Sequence, residues 1–121
     1  KIYAHLVMDG LEYPITISNC VLLIKREIIV KNRLSYREDI RISEDAPFGS
    51  EVLYCADSFA YLKGEQLYHY RMTEGSASRT YQPWWWDSSL KINEETENFF
   101  TKCADYDFTQ QIKSNMFYLA R

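Results

Sequence analysis

Two adjacent carboxylates, Glu44 and Asp45, head the stretch Ile42-Ser43-Glu44-Asp45-Ala46-Pro47-Phe48, and the run behind them has helical spacing. Phe48, Val52, Leu53 and Ala56 suit one face of a helix, which puts the pair at its N-terminus. Free backbone N–H groups and the helix dipole stabilise negative charge there. An ionised Asp in that place can take a proton from a hydroxyl brought within reach. The same residues also suit a plain structural role, with Ser43 or Asp45 capping the helix and Pro47 in its first turn. Local sequence does not decide between the two, and the rest of the chain has to.

The 121 residues suffice for the core of one domain but are few for a complete nucleotide-dependent enzyme. With 46% hydrophobic and 26% charged residues the chain has the makings of a packed globular protein and not of a disordered one. A net charge of −3 gives no global attraction to nucleic acid or anionic lipid, so any phosphate contact must come from a few placed basic groups. No apolar run approaches the roughly 20 residues of a membrane-spanning helix. Cys20, Cys55 and Cys103 are odd in number and far apart, which fits neither a zinc spacing nor a disulfide framework. They read as buried thiols of a cytoplasmic protein. Lys1 in place of an initiator Met is the expected mark of a piece of a longer protein.

Taken in order, residues 2–8 and 11–17 read as a hairpin around Asp9-Gly10, with Pro14 placing the second strand at an edge. Val21 to Lys31 predicts a helix, broken near Ile24 and stopped at Asn32, with Lys25 and Arg26 on its solvated face. After the helix that starts near the carboxylate pair, 58–62 and 66–72 read as two strands joined by Lys63-Gly64-Glu65. On the second strand Leu67, His69 and Arg71 share one face, ahead of the Gly/Ser loop Thr73 to Ser78. That loop could hold an anion together with Arg71. Three consecutive Trp, 84 to 86, cannot all face inward in any regular structure. They pack the next helix onto the core or leave a ring to stack on a sugar or a partner. Asp87 or Ser88 then caps a helix to about Lys102, and Asp107 caps a last one over 108–120.

Four segments in register carry a resemblance: Leu23-Ile-Lys-Arg-Glu-Ile-Ile29, Asn32-Arg-Leu-Ser-Tyr36, Ser43-Glu-Asp-Ala-Pro-Phe48, and Leu67-Tyr-His-Tyr-Arg71 followed by Gly75-Ser-Ala-Ser78. Together they look like the C-terminal part of a family 2, GT-A-type glycosyltransferase, over about residues 18 to 80. The resemblance implies that Asp45 is the catalytic base toward the acceptor hydroxyl and that Glu44 shapes the acceptor or donor-sugar pocket. It implies that His69, Arg71, Ser76 and Ser78 line the donor diphosphate region. A divalent cation, Mg or Mn, is expected in the full-length protein and none on this chain alone, which lacks the family's N-terminal nucleotide-binding half with its Asp-x-Asp motif; Asp105-Tyr106-Asp107 offers a metal-like spacing but reads as an interhelix loop. The isolated chain is accordingly expected to be inactive.

The expected fold class is α+β, short strands and hairpins packed by helices, as a C-terminal fragment of a GT-A-type α/β fold. Residues 1–80 would be its acceptor-side part and 81–121 a C-terminal helical extension. The partners would be a nucleotide-sugar donor and a glycan acceptor, in the cytoplasm or at the inner face of the membrane, with self-association of the fragment through its undocked face. The alternative is a non-enzymatic module that binds carbohydrate or protein through the Tyr81 to Trp86 aromatics.

Overall fold

The computed structural model describes residues 18–60, 62, 64–76 and 80–119. A short 3₁₀ turn, Asn19–Val21, leads into α1 (Arg26–Asn32), α2 (Asp45–Cys55), α3 (Trp85–Phe100) and α4 (Thr109–Leu119). The described residues are helical or irregular and contain no strand, so the expected α+β class is wrong for them. The expected hairpin over 2–17 lies outside the described residues. The strands expected over 58–62 and 66–72 do not form among the described residues of those segments. The reason is energetic. Alternation makes a strand only where one face is buried and a neighbouring backbone pairs with it. Here both faces lie open, with Leu67 75%, Tyr68 46%, Tyr70 60% and Met72 60% exposed.

The first helix is shorter than its apolar run suggests. Leu22 to Lys25 are not helical, and α1 begins only at Arg26. It ends at Asn32, where Arg33 takes up the left-handed conformation at φ 54°. The Leu34 amide donates to the Ile29 carbonyl at 3.0 Å, closing the helix end as a Schellman-type turn. That position normally takes glycine, since an L side chain there crowds its own carbonyl. Arg33→Gly should therefore raise the unfolding free energy by about 0.5–1 kcal/mol, read from urea melts. A loss of stability would show that the Arg33 side chain holds something more than its backbone.

Helices α2, α3 and α4 make the core. Leu53 of α2, Phe100 of α3 and Phe108 ahead of α4 form one buried cluster, with Tyr54, Phe59, Phe99, Cys103 and Ile112 around it. Leu34, Phe48 and Val52 form a second, closed by Ile24, Ile28 and Ile29 from the α1 side. Phe99 touches both, so the core runs unbroken across the 80/81 boundary. Along α3 the buried positions are Ser88, Ile92, Thr96 and Phe100, a strict i, i+4 stripe. Leu90, on the same helix, is 50% exposed. The helix starts at Trp85, two to three residues ahead of the expected caps. Ser88 instead ties the preceding loop to α3, its Oγ accepting the Arg41 amide at 3.3 Å.

Asp107 does cap the last helix. Its Oδ1 accepts the Thr109 amide at 2.9 Å. Bonding to the Thr109 hydroxyl and amide also holds this carboxyl below its ordinary pKa. Asp107→Ala should lower the urea unfolding midpoint, as the loss of such a cap does, and Asp107→Asn should lower it much less. Equal losses for both would point to charge and not to capping.

Candidate active site

Asp45 is the first residue of α2 and half-buried, and Glu44 sits exposed at its N-cap with φ −61° and ψ −22°. The Glu44 side chain makes no capping hydrogen bond, which leaves its carboxylate outside the helix-end bonding. Ser43, one residue earlier, is in the left-handed region at φ 56°, and its carbonyl accepts the Ala46 amide at 3.0 Å. A left-handed serine is uncommon and turns the chain sharply just ahead of the pair. Pro47 lies buried in the first turn, as expected, where its missing N–H costs no helix bond.

The first turn of α2 is tied to the loop before it. Phe48 is buried and stacks on Tyr36 with ring centroids 4.1 Å apart and planes 16° from parallel. Tyr36 in turn bonds to the Asn19 amide, tying the 3₁₀ turn to the loop that delivers Glu44 and Asp45. The first turn of α2 is thus anchored from beneath while the carboxylates at its mouth remain accessible.

The residues expected around a donor diphosphate are less well gathered. His69 and Arg71 are exposed on irregular backbone, and no ion pair or hydrogen bond among the described residues joins either to Glu44 or Asp45. Ser76 is half-buried and Ser78 lies outside the described residues. No group of three or more His, Cys, Asp and Glu side chains that could hold a metal ion occurs among the described residues. The divalent cation implied by the resemblance therefore has no fitting donor set there.

Two features went unnoticed in the sequence. Glu51 is only 5% exposed, and burial, followed by the charge of Glu95 on α3, pushes its carboxyl up to about 7. The signal was available: Phe48, Glu51, Val52 and Cys55 follow the i, i+3, i+4, i+7 pattern of an inward stripe. The second feature is a charged lattice across the loop before α2. Arg37 binds Asp39 as a fork, Nε to Oδ1 at 2.9 Å and Nη2 to Oδ2 at 2.7 Å, and reaches Glu94 and Glu95 of α3 at 3.3 Å. This pairing with Arg37 holds the Asp39 carboxyl down at about 2. Lys91 of α3 closes the lattice, 2.7 Å from Asp87 and 3.6 Å from Asp39. Partners 50 and more residues apart leave no local mark in a sequence.

Beside that lattice lies an open groove of about 500 Å³, lined among others by Glu38, Asp39, Arg41, Trp84, Asp87 and Lys91. No helix among the described residues is long and apolar enough to cross a membrane. No family model, curated protein or solved structure matches the chain.

Proposed function

We propose that the chain supplies the acceptor side of an inverting sugar transferase, with Asp45 as the base, acting on a nucleotide-sugar donor and a glycan hydroxyl in the cytoplasm. The observation that supports it best is the setting of the pair. Asp45 opens α2 and is half-buried, and the adjacent Glu44, exposed at the N-cap, makes no capping hydrogen bond. Phe48, buried in the first turn, stacks on the exposed Tyr36 and so ties that turn to the preceding loop. In the step itself the Asp45 carboxylate takes the acceptor's hydroxyl proton while that oxygen bonds to the anomeric carbon. The bond from that carbon to the diphosphate oxygen breaks on the opposite face, and the nucleoside diphosphate leaves with the electron pair.

The test is transfer by a protein that carries this chain together with a nucleotide-binding half. Asp45→Asn should lower turnover by about 10²–10⁴-fold, the usual worth of a positioned general base. Glu44→Gln should act mainly on KM for sugar, because its proposed part is to shape the pocket. Full turnover by Asp45→Asn would return the pair to a structural helix start.

A further inference from the structure

We infer that the groove between the 38–41 loop and the start of α3 is a binding site for a neutral oligosaccharide, distinct from the Asp45 position. Its size falls within the few hundred to a thousand Å³ usual for small-ligand sites, at about 500 Å³. One wall presents Trp84, whose flat indole suits the C–H face of a pyranose ring. Glu38 and Arg41 also line it, and their exposed side chains make no hydrogen bond to any described residue. Carboxylates accept from vicinal hydroxyls and a guanidinium donates to ring and hydroxyl oxygens, so the pair covers both kinds of sugar contact.

Part of the lining is fixed before any ligand arrives. Lys91 is held by Asp87 at 2.7 Å and by the Asp39 carbonyl at 3.3 Å, and Asp39 is held in turn by the Arg37 fork. Side chains already fixed lose little freedom on binding, which is where a shallow polar site otherwise loses its affinity. Charge selects the ligand class. The lining carries three carboxylates, Glu38, Asp39 and Asp87, against two cations, Arg41 and Lys91, and is net negative. A phosphate or uronate would meet three carboxylates here; a neutral sugar meets none of that repulsion. The site stands on its own geometry and does not need Asp45 to be a base.

A fluorescently labelled preparation of the chain on an array of neutral and acidic glycans tests this. The expected result is retention on neutral oligosaccharides, reduced about tenfold or more by Trp84→Ala, in line with the loss of a central aromatic anchor. Because Trp84 caps α3, Glu38→Gln is the second variant: it hydrogen-bonds to no described residue, should keep the helical circular dichroism and melting point, and should weaken retention several-fold. No retained glycan, retention on acidic glycans alone, or retention untouched by both variants would overturn the inference. Retention without sugar transfer leaves the groove standing, and transfer without retention removes it while leaving Asp45 as the base.

Discussion

Phe100→Ala should cost about 3–5 kcal/mol of stability, a large share of the roughly 5–15 kcal/mol that holds a domain folded. Phe100 is 4% exposed in the cluster it forms with Leu53 and Phe108. Its ring lies 4.7 Å from Phe108, 5.0 Å from Phe99 and 5.9 Å from Tyr54, in the edge-on and tilted arrangements that aromatic pairs favour. Truncation therefore removes buried area and three ring contacts at once, each pair worth about 0.5–1.5 kcal/mol beyond its area. The surroundings resist collapse into the void. Tyr54 is pinned by its hydroxyl, which donates to Asp105 at 2.6 Å, and Phe108 sits next to the Asp107 cap. Urea unfolding of Phe100→Ala against Leu90→Ala separates core from surface: Leu90 is 50% exposed on the same helix and should change stability by about 0.5 kcal/mol or less. Similar losses for both would mean that α3 is not packed through Phe100.

Glu51 should make the protein less stable as pH rises. Its carboxyl titrates near 7 in the fold against an ordinary 4.5, so the folded chain binds that proton more tightly than the unfolded chain does. The stabilisation is complete below about pH 4.5, fades as pH rises toward 7, and is gone above it. The span is about 2 kcal/mol once solvent at the helix edge is allowed for. The charge that bears on Glu51 is Glu95 on α3; along its own helix lies the Cys55 thiol, itself pushed up by burial and then by Glu51. Asp39 works in the other direction. Its carboxyl is held at about 2, so its contribution is lost only as pH falls below about 4. Glu51→Gln should abolish the fall between pH 5 and pH 8 and leave the stability near pH 4.5 little changed. A urea midpoint that moves between those pH values as much in Glu51→Gln as in the parent would show that another group carries the effect.

The helices were legible because each needs only its own sequence and one apolar face. The i, i+4 order of Ser88, Ile92, Thr96 and Phe100, and the Asp107 cap, place α3 and α4 within a few residues of where they lie. The strands were misread because alternation is a conditional signal. Leu67 to Met72 alternate well, yet a strand is a property of two backbones, and both side-chain faces of this segment stay open. Leu22 and Ile24 failed in the opposite sense: their apolar character placed them in a helix that starts only at Arg26, though Ile24 still packs on the Leu34 cluster.

The candidate site was half legible. The helix start at Glu44 and Asp45 follows from Pro47 and the apolar spacing behind it. What encloses it does not. The Tyr36–Phe48 stack, the Arg37 lattice and the groove walls join loops to α2 and α3 over up to 58 residues of chain. Such pairings depend on how the helices cross, and single-sequence periodicity carries no information on that.

The most direct measurement is turnover and donor affinity, side by side, for a transferring protein that contains this chain and for its Asp45→Asn form. If Asp45 is the base, sugar transfer falls by about 10²–10⁴-fold while the affinity for the nucleotide sugar and the melting temperature hold, because only the proton acceptor has gone. Unchanged turnover, or turnover lost together with the fold, would contradict it.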